Sequence, residues 1–198
     1  MIAAALNFVL PGAFTLGPPW LVAVIELAIV VPLTIVAPRR VMNETRPNQT
    51  AAVVLIAVAN VANVASLILL IHALIYNSKS INGVQLLYSS VDIWATNVLV
   101  FSLWYWELDR GGPDERLKPE HRAPDFLFPQ MVTPDCTEPS WSPKFFDYVY
   151  VAFTNATAFS PTDTMPLTQW AKFLMLGQAA TSLATIAIVA SRAVNILG

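Results

Sequence analysis

From Phe153 to Thr168 the chain reads FTNATAFSPTDTMPLT, a run of hydroxyls and one amide that ends on a carboxylate. Thr154, Asn155, Thr157, Ser160 and Thr162 offer oxygens that replace water around a small ion, and Asp163 would draw cations toward them. The same groups have a second use, since hydroxyls cap helices and pin turns, and Asp163 could serve as N-cap of the helix that follows. Nothing nearby makes a reaction centre. His72 and His121 are the only histidines and Cys136 the single cysteine, so no zinc spacing and no intramolecular disulfide can be built. With no nucleophile beside a base and no glycine-rich phosphate loop, neither a catalytic set nor a cofactor is expected, and an enzyme is not the reading.

A second group of polar residues stands inside apolar runs: Glu26, Asn60, Asn63, Asp92 and Asn97. In lipid an ionised, unpaired side chain costs roughly 2.5–3.5 kcal/mol on insertion scales. Glu26 is therefore expected to be protonated or paired. The asparagines read as amides joining helices across a bundle, and Gln178 is the polar residue that marks the last span. His72 lies near a span end, as an interfacial histidine would. Glu107, Asp109 and Arg110, followed by Gly111-Gly112, read as a cluster that ends a helix and pairs Arg110 with a carboxylate.

The elements that hold these residues follow from composition. Hydrophobic residues make up 56% of the 198 and charged ones 12%, against about a quarter charged in a soluble domain. Net charge is −2 and no basic face exists, so nucleic acid is excluded as a partner. A bilayer core needs about 20 apolar residues in helix. Four runs qualify: Trp20 to Ala37, Ala51 to Tyr76, about Val84 to Trp106, and about Trp170 to Leu197, the last rich in small residues that let helices approach. Trp104-Tyr105-Trp106 has the composition of a headgroup belt. Residues 1–19 form a short apolar segment broken by Pro11 and Gly12, and with no basic residue before Arg39 they do not read as a cleaved export signal.

Residues 107–143 differ. Prolines 113, 119, 124, 129, 134 and 139 forbid a long helix, and eight carboxylates stand among four basic residues, which predicts an extramembrane loop. Within it, Asp125 to Pro129 is apolar enough to rest on the membrane surface. Ser142-Pro143 then offers a cap and a first-turn proline for an apolar helix from Lys144 to about Thr157. Too short to span and followed by a polar turn, that helix reads as re-entrant, so 144–198 would comprise re-entrant helix, turn and last span.

The order of outer helix, short helix ending in threonines, turn, and Asp163-x-x-Pro166-x-Thr168 resembles the pore loop of potassium-channel-like proteins. Trp104 to Pro113, Phe126 to Met131, Phe153 to Thr168 and Ala193 to Leu197 further resemble a family of uncharacterised bacterial membrane proteins distantly related to such channels. The resemblance implies an all-α membrane fold, a homo-oligomer, tetrameric by analogy, and a bacterial inner membrane. One departure matters. No glycine occurs between 113 and 176, and Pro161 is held near φ of about −65°, so the usual potassium filter is not expected. Cation or proton conduction without that filter is the first expectation, and a non-conducting accessory subunit among other membrane subunits the alternative.

Orientation gives two answers. Arg39, Arg40 and Arg46 in one loop and four basic residues in 107–143 place both loops in the cytoplasm. The channel analogy places the short helix on the outer side.

Overall fold

The computed structural model describes residues 46–76, 83–120, 122–138, 141–157 and 163–197. Glu26, the run from 20 to 37, Ser160 and Thr162 lie outside the described residues. Among the described residues three helices are long and apolar enough to cross a membrane: α1 (Arg46–Tyr76), α2 (Gly83–Leu108) and α5 (Gln169–Leu197). Between the last two come a short strand β1 (Phe126–Leu127), a single turn α3 (Pro129–Val132), a 13-residue helix α4 (Phe145–Thr157) and strand β2 (Met165–Pro166).

On α1 the buried side chains Ile56, Ala59, Asn63, Leu67 and Leu70 recur at three and four residues, one helical stripe. Val54, Val58, Val61 and Ile68 face outward and are equally apolar, the pattern of a helix with hydrocarbon behind it. Ile56 and Ala59 meet Val100 and Leu103, while Leu67 and Leu70 meet Leu86 and Ile93, so α1 and α2 run antiparallel. Ile188 joins the second of these groups and Ala171 packs at the other end of α2, which makes α5 antiparallel to α2 as well. The middle helix α2 is the most enclosed, with α1, α4 and α5 around it.

The described part of α1 reaches back to Arg46, ahead of the apolar run. The cap of α4 differs from the sequence expectation. Lys144 rather than Ser142 occupies the cap: its backbone N–H donates to Asp147 Oδ2 at 2.7 Å, and the Asp147 N–H donates to the Lys144 carbonyl at 3.0 Å. At α5 the cap is Thr168, whose Oγ1 accepts the Ala171 N–H at 3.3 Å. Asp163 is exposed and does not cap α5.

The proline-rich segment is not a surface float. Phe126 and Phe128 are 1% and 3% exposed, packed against Tyr105, Tyr148 and Trp141. Asp109 draws them in, as described below. Tyr105, expected at headgroup level, is also wholly buried, and Trp106 packs edge-on against Phe145 and Tyr148. These rings anchor α4 to the end of α2.

Candidate functional site

Two polar centres lie around α4. The first closes its outer end. After Leu108 the chain turns through three successive residues with positive φ: Arg110 at 56°, Gly111 at 89° and Gly112 at 111°. This turn brings the Asp109 side chain inward, where it is wholly buried. Its Oδ1 accepts the Asp125 N–H at 2.9 Å and the Phe126 N–H at 3.4 Å, and its Oδ2 accepts the Tyr148 hydroxyl at 2.5 Å. In return Asp125 Oδ2 accepts the Arg110 N–H at 2.8 Å. One carboxylate thus ties α2, β1 and α4 together, and β2 pairs antiparallel onto β1, Phe126 opposite Pro166.

The charge of Asp109 is paired with Arg110, whose Nε lies 3.8 Å from its Oδ2, and Arg116 adds an electrostatic influence. Arg116 donates to the Trp106 carbonyl at 2.6 Å and the Asp109 carbonyl at 3.2 Å, and its guanidinium lies 4.3 Å from the Trp106 ring centre and 5.1 Å from that of Tyr148. Burial pulls its pKa below the ordinary guanidinium value, opposed by the electrostatic influence of Tyr148 and Asp109. Gln49 of α1 reaches the same turn, donating to the Gly111 carbonyl at 2.7 Å and the Glu107 carbonyl at 3.2 Å.

Gly112 has no room for a side chain. A Cβ there would lie 2.5 Å from Gln49 Nε2 and 3.2 Å from the Glu107 carbonyl, at a φ that other residues resist. Gly112→Ala is expected to cost about 1–3 kcal/mol, read as a lower midpoint of thermal unfolding for the purified chain in detergent; an unchanged midpoint would show that the turn relaxes freely.

The second centre holds the inner end of α4. Gln178 of α5 is wholly buried and bonds in three directions. Its Oε1 accepts the Tyr105 hydroxyl at 2.6 Å and Asn155 Nδ2 at 2.8 Å, and its Nε2 donates to the Ala152 carbonyl at 2.8 Å. Asn155 also donates to the Met175 carbonyl at 2.9 Å. Asn97 extends the network along α2, donating to the Gln178 carbonyl at 3.2 Å and to Ser182 Oγ at 2.8 Å.

The residues singled out from sequence therefore separate. Asn97 and Asn155 are joined through Gln178. Thr154 and Thr157 bond back into their own helix, to the Tyr150 carbonyl at 2.8 Å and the Thr154 carbonyl at 2.9 Å. Asn60 and Asn63 stand apart on α1, and Asn63 is buried on its packing face; Asp92 is buried near the start of α2. Sequence reasoning gave Tyr105, Tyr148 and Gln178 no site role. Gln178 alone carried a signal, a polar residue in the middle of an apolar run, whereas two buried tyrosines look like any other aromatic.

No known family profile, curated protein or solved structure matches the chain.

Proposed function

We propose that this chain is a multi-pass membrane protein of pore-loop architecture. Residues 20–37 make a fourth span, α4 is a re-entrant helix, and copies assemble, as a tetramer by the channel analogy, around a path for a small cation or a proton. One observation carries the reading. Phe145 of α4 packs on Trp106 beside the Asp109 turn, Asn155 reaches Gln178, and β2 then lies back against β1 at that same turn. Gln178 is nine residues into α5, about 14 Å along its axis. A helix that enters to that depth and a chain that returns to its starting level are what a pore loop requires. The faces of α4 and α5 turned away from α2 carry exposed Phe146, Tyr150, Leu176 and Leu183, surface that neighbouring copies and lipid would cover.

A second reading draws on the hydrogen bonds of Thr154, Asn155 and Thr157, which are made within one copy. They favour a non-conducting accessory subunit whose loop is a structural plug. Flux from liposomes separates the two. Cation or proton flux that falls severalfold in Asp163→Asn is the expected result; no flux under any ion or voltage gradient would overturn conduction and leave the accessory role.

A further inference from the structure

Helices α1 and α5 both begin beside the end of α2, yet they touch each other little. The space between them is a cavity of about 800 Å3, closed at one end by the segment from Gly111 to Phe126. Small-molecule sites generally fall between about 300 and 1,000 Å3. The walls are mostly apolar, and the rings of Phe101, Trp104, Trp170 and Phe173 lie along them. Trp170 and Phe173 are 70% and 67% exposed, so an entering molecule meets aromatic surface first.

The charges are divided unequally. Glu107, Asp109 and Asp125 line the closed end, the first two wholly buried. Asp109 is paired with Arg110 Nε at 3.8 Å, while neither arginine of the junction lines the cavity: Arg110 Nη2 lies 3.3 Å from Met131 Sδ, and Arg116 sits over Trp106 and Tyr148. Arg122, exposed, is the one cation on its walls among the described residues. Aromatic faces attract cations, and carboxylates at low dielectric add to that attraction. An anion of the same shape meets the carboxylates of Glu107 and Asp125 instead.

We propose that this cleft binds lipophilic cations, ammonium or phosphonium ions whose charge is wrapped in hydrocarbon and which reach it from the bilayer between α1 and α5. No residue of α4 lines the cleft, so the proposal stands independently of conduction.

The test uses the full chain in nanodiscs, with tetraphenylphosphonium as probe and tetraphenylborate, its near-isosteric anion, as the matched control. Tryptophan fluorescence and calorimetry should show saturable binding of the cation, one per chain, and at least tenfold weaker binding of the anion. Gly177→Leu should abolish it, because a Cβ at that position lies 3.9 Å from Phe101 Cζ, in ordinary contact, and the longer side chain then fills the cleft. Asp125→Asn, which keeps an oxygen for the Arg110 N–H, should weaken the cation by about tenfold and leave the anion no worse. Should Gly177→Leu fail to fold, Phe173→Leu at its exposed position removes one aromatic face and should weaken the cation severalfold, a loss of cation–π attraction. Equal affinity for the two ions, or affinity for the cation unchanged in these variants, would overturn the proposal.

Discussion

Asp109→Ala is expected to destabilise the chain by about 3–5 kcal/mol, the range for removing one partner from a buried, hydrogen-bonded charged group. The loss is compound. Two backbone N–H groups, of Asp125 and Phe126, lose their acceptor, and so does the buried Tyr148 hydroxyl. Arg110 loses its paired carboxylate and Arg116 a favourable electrostatic neighbour, so positive charge is left with less compensation in a buried place. The two strands should separate from the end of α2, since Phe126 is drawn there by that carboxylate. Trypsin reads this directly. Arg116 is 8% exposed in the native fold, and faster cleavage after it, together with a lower thermal midpoint, is the expected outcome. Cleavage at the wild-type rate would mean that the aromatic packing of Phe126 and Phe128 holds the segment without the carboxylate.

Gln178→Leu is expected to cost about 2–4 kcal/mol, because replacing it orphans buried groups at about 1–3 kcal/mol each. The Tyr105 hydroxyl and the Ala152 carbonyl lose their partners outright, while Asn155 retains the Met175 carbonyl. Volume is nearly conserved, so the effect isolates hydrogen bonding from packing. Hydrogen exchange should localise it: amides from Tyr150 to Thr157 lose protection while the β1–β2 pair keeps its own. Uniform loss along the chain would instead indicate that Gln178 supports the whole bundle rather than the tip of α4.

The long helices were legible in the sequence because bilayer thickness sets a length that few soluble helices need. The boundaries were less so. Hydropathy ends α1 at Ala51, but the described helix continues back to Arg46, and the extra turn carries Gln49 to the Gly111 carbonyl. Asn97 bonds to partners 81 and 85 residues away, which leave no local trace in the sequence around it. The Asp125 to Pro129 stretch misled for a physical reason. Apolar residues seek any nonaqueous surface, and composition does not distinguish lipid from a protein core. What decided the matter was Asp109, a carboxylate whose acceptors point at backbone N–H groups sixteen and seventeen residues on. Tyr105 shows the same limit: one residue of an aromatic triplet faces inward, and only the helical phase relative to α5 selects it.

The two polar centres also differ in when they can exist. The bonds of Asp109 to Asp125, Phe126 and Tyr148 join positions at most 39 residues apart and need nothing beyond α4. Those of Gln178 to Tyr105, Asn155 and Ala152 must wait until a further stretch of chain has left the ribosome, for Gln178 lies 73 residues after Tyr105. During vectorial synthesis the outer end of α4 is thus fastened first, and its tip is left with Asn155 unmatched until α5 inserts beside it. Burying an unmatched amide is costly. The last helix therefore acts as the latch that completes the loop, and chains truncated before residue 178 would carry an α4 with a mooring at one end only.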